Sequence, residues 1–582
     1  MPSPLRDLLA LERLRLQFGP LAAGRKQTLL ARLGPASMPT ARALARLHEM
    51  LCFLRAYPDN EALLRDTCAL LEGFARRPDL RRHRAALADS GIAGSAIHYR
   101  FFAGQAQWLA QCWPHQLHLD RSDAGTEARV AAVLPELLTP IEQYALREHG
   151  RPGYAALDRL RSKAQTDASF LLQRVAAMPG NSYTREALID AMDASMVLDP
   201  GQGTPSRTLA AFAPAPVVFR DQAPVRERPD LRAAIRRAPR SVHRLPLDQG
   251  QALIDLARAA MVTRARSLET FSFADARDAW LVDDGDGLAI GLCGLVPERR
   301  HALATMVGGL LLRNGVPVGY LQADILGRSA ALSFNTFETF RGGESAHLFA
   351  RWLAALHRVY GCTTFSIEPY QLGRGNDEAL DSGAWWFYAR LGFAPRAADT
   401  LALAARERTR IARSPGHRSS RGALERLARH HLFFDLDPAD WTTLRVSRFG
   451  AIRLGSGPAA HAQPFVDLAE LGLQCGAALS ARGGAAREAA LDRIDTEVLH
   501  LAGLTTLPGF TTDAREAWRR LLPLLTVLDT SGWNAHEYRM LGTLARAKAG
   551  PSERAFVSAF LAHTALSGAL HDWATLQVAR LA

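Results

Sequence analysis

The densest run of residues able to do chemistry lies between Phe334 and Phe393. It reads FNTFETFRGGESAHLFARWLAALHRVYGCTTFSIEP, then a loop, then DSGAWWFYARLGF. Arg341-Gly342-Gly343-Glu344-Ser345-Ala346 forms a glycine-rich turn that opens a helix. Such a turn aims free backbone N–H groups and the positive end of the helix dipole at an anion. Glu338 falls on the strand expected before that turn, where alternation puts Phe334, Thr336, Glu338 and Phe340 on one face. A carboxylate desolvated among aromatics has a raised pKa, which suits a general base near neutrality. Tyr388 sits on a short helix with Trp385, Trp386 and Phe387. Its phenol can donate a proton and recover it from solvent, and the same cluster also reads as packed core. Glu368 ends the following strand, at the strand end where ligands collect in open sheets. The polar loop 371–378 reads as turn chemistry before it reads as a phosphate loop, and Asp381 reads as a helix cap. No HExxH and no GxSxG occurs, so neither a zinc protease nor a serine hydrolase is indicated.

These residues resemble the acyl-CoA-binding half of the GNAT N-acetyltransferase superfamily. In that family a strand ends in an Arg/Gln-x-x-Gly-x-Gly/Ala loop that opens a helix. A further strand follows, and then an Asn-x-x-Ala-x-x-x-Tyr-x-x-x-Gly-Phe stretch. Arg341 and Ala346 stand at the loop's first and last positions, and Ala384, Tyr388, Gly392 and Phe393 match the later stretch, with Asp381 at the Asn position. The fourth loop position holds Glu344 in place of Gly, and a carboxylate there repels a pyrophosphate unless it turns away. The resemblance covers roughly 241–395. It implies an enzyme that transfers an acyl group from acetyl-CoA or another acyl-CoA to an amine by direct attack on the thioester. The acceptor would be a small molecule or a protein. Arg341, Gly342, Gly343, Ser345, Ala346 and Asp381 would hold the cofactor, Tyr388 would be the general acid and Glu338 the general base. A non-catalytic interaction protein of the same fold, binding a partner through its helical domains, is the alternative.

The elements that must position these groups are readable from local signals. A strand at 241–245 and an amphipathic helix at 247–267 come first. Runs at 279–282 and 288–295 flank Asp283-Asp284-Gly285-Asp286-Gly287, and runs at 303–313 and 316–325 enclose Asn314-Gly315, the strongest short hairpin signal. A third strand at 330–340, a helix at 344–360, a strand at 363–367 and a helix at 383–391 complete the α+β or α/β pattern.

The chain has 582 residues, enough for three or four domains. We expect a helical domain at 1–200, a proline-rich linker at 201–240, the GNAT-like domain at 241–403, a basic segment at 404–434 and a helical domain at 435–582. The net charge is +12, yet Lys26, Lys163 and Lys548 are the only lysines among 70 basic residues. That arginine bias is what a GC-rich bacterial coding sequence produces, so a solvated basic surface is preferred to a nucleic-acid partner. The scattered cysteines predict neither a disulfide scaffold nor structural zinc. The first residues carry no secretory signal and no run reaches the ~18 apolar residues of a membrane span, so a cytoplasmic protein is expected.

Overall fold

The computed structural model describes residues 3–150, 153–213, 217–225, 227–341, 344–414, 416–436, 465–483 and 486–581. The N-terminal region is mostly helical, as expected, but it also holds a small antiparallel sheet. Strands β1 (Ile97–Tyr99), β2 (Leu117–Leu119) and β3 (Met196–Leu198) pair in the order β1-β3-β2. Residues up to Ile92 gather one apolar core and residues from Ile97 to Leu198 another, so the region is two packed units.

The centre is a nine-stranded mixed sheet of order β11-β12-β10-β9-β8-β7-β6-β5-β4. Strands β4 (Ser241–Arg244), β5 (Ala274–Gly285), β6 (Leu288–Leu295), β7 (Thr305–Arg313), β8 (Val316–Leu326) and β9 (Ser329–Thr336) form an antiparallel meander. The hairpin turns fall where the sequence places them. Asp286 and Gly287, and likewise Asn314 and Gly315, all have positive φ, the backbone that a two-residue hairpin turn of the right twist requires. Helix Ser345–Tyr360 then crosses over and returns the chain to β10 (Thr364–Ile367), parallel to β9. Its apolar side buries Leu348, Phe349, Trp352, Leu353 and Leu356 under the sheet.

Two expected boundaries are corrected. The segment from 404 onward is not separate from the sheet domain, because Leu432–Asp435 (β12) inserts between β10 and β11 (Ala394–Pro395). The proline-rich stretch is also more than a connector. Its helix Leu231–Arg236 adds Leu231 and Ile235 to the central core, and Arg237 O and Ala234 O accept from the buried Arg351 guanidinium. Prolines deny this stretch a ladder of its own, so it satisfies its backbone against neighbouring elements. Phe212 N donates to Gly315 O at 2.8 Å, and the Asn314 side chain bonds Val218 N, Val218 O and Ala56 O at 3.0–3.1 Å. A side chain at Gly315 would place its Cβ 2.3 Å from Phe212 O, so this turn admits glycine alone.

The C-terminal helices from Leu468 to Leu581 build their own core, and residues 437–464 of the expected helical domain lie outside the described residues. A buried polar cluster fastens them to the sheet. Arg300 Nη1 donates to Lys548 O at 2.7 Å, Lys548 Nζ donates to Ala304 O at 2.8 Å and pairs with Glu553, and Glu553 N donates to Asp278 at 2.8 Å.

A second buried charge cluster joins three distant parts of the chain. Glu344, at the N-cap of helix Ser345–Tyr360, is 4% exposed. Its carboxylate pairs with Arg313 at 2.5 Å and with Arg220 at 3.0 Å, and accepts from the Tyr57 hydroxyl at 3.3 Å. Removing one partner of a buried ion cluster leaves the other charges uncompensated. Glu344→Ala is therefore expected to cost about 3–5 kcal/mol, whereas Tyr57→Phe, which removes one hydrogen bond, is expected to cost about 1 kcal/mol. Denaturant unfolding of the two variants measures this, and equal losses would contradict the assignment.

Candidate functional site

Strands β9 and β10 part company halfway along. Their pairing ends at Leu332↔Ile367, while β9 stays paired to β8 as far as Thr336↔Gly319. The last residues of β9 therefore have a free edge toward β10, and the two faces of the sheet meet there.

On one face alternation makes a polar platform. Tyr320, Gln322 and Asp324 of β8 lie opposite Asn335, Ser333 and Ala331 of β9 and are only half-buried. The intervening Leu321, Ala323 and Ile325 are buried on the other face. On the neighbouring β7, Gly308 is the partner of Gln322, and Thr270 and Phe271 of the short helix Glu269–Ser272 close over it. Burial pushes the Asp324 carboxyl up to about 6, against the hydrogen bond from Gln322 Nε2 at 3.3 Å, and like charge from Glu368 and Glu269 adds to the rise. Glu368 itself is exposed at the start of helix Pro369–Leu372.

At the far end of the platform, Glu378 bridges two arginines. It accepts from Arg341 at 2.8 Å and from Arg266 at 3.2 Å, and hydrogen bonds from Arg341 hold its pKa down. Arg266 also donates to the Tyr320 hydroxyl at 3.3 Å, and Arg341 Nε donates to Thr336 O at 3.0 Å. This cluster ties the end of β9 to the loop after β10.

The opposite face is aromatic. Phe334, just past the parting, stacks on Phe387 with centroids 6.2 Å apart and meets Phe349 edge-on at 5.3 Å. Tyr388 packs edge-on against Phe349 at 5.4 Å and is 4% exposed. Burial drives its phenol far above the usual range, so it stays protonated.

The residues expected from sequence are thus distributed unevenly. Tyr388 lies behind the parting, on the helix side of the sheet. Glu338 is displaced from its expected position, because β9 ends at Thr336 and Glu338 begins a 3-10 turn in which it is exposed. It is off the strand and open to solvent, not in the enclosed position expected for a base. Gly342 and Gly343 lie outside the described residues. Ser345 and Ala346 occupy the first turn of the crossover helix, with the Glu344 carboxylate turned away into its arginine pocket. Asp381 is corrected too. It stands 79% exposed in the last turn of helix Asp377–Ser382, whose cap is Asn376, and lies 3.8 Å from Arg421. Sequence reasoning missed Asp324, Gln322 and Glu378. The alternation of Tyr320, Gln322 and Asp324 in an otherwise apolar strand was the available signal. Among the described residues no His, Cys, Asp and Glu group could hold a metal ion. No protein-family model, no curated protein and no solved structure matches this chain.

Asp324 gives a stability test. Its carboxyl is raised in the folded chain above its unfolded value of about 4, so folding favours the protonated form. That contribution is complete below about pH 4 and is lost as pH rises through about 6. Asp324→Asn should therefore melt close to wild type at pH 4 and higher than wild type at pH 8. A constant difference between the two pH values would rule the shift out.

Proposed function

We propose that this chain is an acyltransferase of the GNAT type, moving an acetyl or other acyl group from an acyl-CoA to an amine. The observation that carries the reading is the parting of β9 from β10, beside the start of the crossover helix and with a raised-pKa carboxylate on the adjoining strand. Together with the sequence motif through Arg341, Ala346, Tyr388, Gly392 and Phe393, it supports a thioester site between the two strands.

The donor set fits an anion. Ser345, Ala346 and His347 present first-turn N–H groups, Arg341, paired with Glu378, precedes them in the chain, and the carboxylate of Glu344 is neutralised by Arg313 and Arg220. These residues would hold the pyrophosphate of acyl-CoA, which supplies an activated acyl group. The amine nitrogen attacks the thioester carbonyl carbon, a C–N bond forms and the C–S bond breaks. Asp324, rather than Glu338, takes the proton from the amine. Tyr388 gives a proton to the departing thiolate, and its elevated pKa keeps it charged with that proton at neutral pH. The half-exposed row Gln322, Ser333 and Asn335 offers hydrogen bonds to orient the acceptor.

One observation favours a second reading. The Phe334–Phe387 stack fills the space under the parting, which suits an interaction protein that keeps the fold without the chemistry.

Free thiol released from acetyl-CoA in the presence of a panel of amines tests the choice. Asp324→Asn is expected to lower turnover by about 10²–10⁴ and to abolish a rising limb near pH 6, while Glu338→Gln leaves both unchanged. If millimolar acetyl-CoA neither raises the melting temperature nor releases thiol, the acyltransferase reading falls and the second stands.

A further inference from the structure

The arginine-rich stretch between β11 and β12 folds into two helices, Ala398–Arg413 and Arg421–Leu427, that pack together. On the first, Asp399, Leu403, Arg406 and Arg410 fall at i, i+4, i+7 and i+11 and so share one face. Arg426, in the last turn of the second, and Arg429, just past its C-terminus, line the other side. The space between the two faces is a groove of about 360 Å³ into which all four arginines project.

Few carboxylates answer them. Glu407 pairs with Arg410 at 2.7 Å, but it is 1% exposed and also accepts from Ser419 at 2.7 Å and contacts His417 at 3.3 Å. Asp399 accepts from the backbone N–H and hydroxyl of its neighbour Thr400. Arg406 and Arg426 each give Nε to a carbonyl of their own helix at 3.3 Å, to Ala402 and Gly422. Those bonds orient the guanidiniums along the groove and leave the outer N–H pairs as forks. Such forks match the oxygens of phosphate groups in a bidentate fashion. Among the described residues no aromatic ring lines the groove, so they supply no stacking platform of the kind by which single-stranded nucleic acids are held.

We propose that this groove binds a small ligand carrying two or three linked phosphate groups. The proposal is independent of acyl transfer. It converts the segment from a solvated basic surface into a site for a defined chemistry.

Calorimetric titration of the full chain with inorganic tripolyphosphate, with ADP and with a short single-stranded oligonucleotide tests it. Tripolyphosphate is expected to bind, and added salt to weaken it. Arg406→Gln and Arg429→Gln are each expected to weaken it about tenfold or more. Both side chains are exposed, so these variants should keep the wild-type melting temperature, and Asp324→Asn should bind as wild type does. Tighter binding of ADP assigns the source of the phosphates to a nucleotide, and equal binding assigns it to the phosphates alone. The proposal is overturned if tripolyphosphate does not bind, or if the arginine variants bind it as tightly as wild type. It is also overturned if the oligonucleotide binds more tightly and is lost in the same variants.

Discussion

The buried carboxylate of Glu344 is the contact on which the arrangement of the site depends. It gathers Tyr57 from the N-terminal helices, Arg220 from the proline-rich stretch and Arg313 from the end of β7. Each of these groups is costly to bury alone, so each needs the others. The two guanidiniums also lie over the Tyr57 ring, at 5.4 and 5.6 Å, which uses the ring's negative face to complete their environment. One consequence is mechanical. The crossover helix starts where it does because its N-cap residue is held by three segments from elsewhere in the chain. A second consequence is electrostatic, because the negative charge at the start of the crossover helix is neutralised by two guanidiniums.

The same logic recurs along the sheet. Arg351, 1% exposed, grips Asp284 with Nε at 2.7 and 2.8 Å and reaches two carbonyls of the stretch before β4. Arg300 and Lys548 do the equivalent for the C-terminal helices. Arginine suits this role because its planar fork satisfies several acceptors at once and it is weakly hydrated for a cation. Part of the arginine excess is therefore internal fastening between regions. It does not reach solvent and says nothing about partners.

Much of the sheet was legible in the sequence because its early strands are joined by short hairpins. Asn314-Gly315 and Asp286-Gly287 announce turns by residue type alone, and the apolar runs beside them have the expected lengths. The strand Leu432–Asp435 was not legible. It is four residues long, sits behind an arginine-rich helix and pairs with β10, some seventy residues earlier. Nothing local distinguishes such a segment from a helix end. Glu338 was misplaced for a related reason. Its alternation with Phe334 and Thr336 continues to Phe340, but the strand stops at Thr336, opposite Gly319 of β8, and the chain enters a 3-10 turn at Glu338. Asp324 escaped notice because the alternation of Tyr320, Gln322 and Asp324 marks one face of the strand as polar without marking which face of the sheet is open. That depends on Glu269–Ser272 covering β7 but leaving β8 and β9 half exposed.

The parting of β9 and β10 acquires its significance from the contrast between the two faces. An acidic group on one face and a phenol on the other are held there in unlike surroundings. Here Asp324 and Tyr388 stand on opposite sides of the sheet, one among polar side chains and the other among phenylalanines. Burial raises both pKa values, but to different ends. The carboxyl is brought close to neutrality, where it can exchange its proton, and the phenol is held firmly protonated as a weaker acid. The ladder stops at Leu332 and Ile367, so the free edge of β9 begins at Ser333, with Ser333 and Asn335 on the polar face and Phe334 on the aromatic one, while Asp324, opposite Ala331, stays beside the paired part of the sheet.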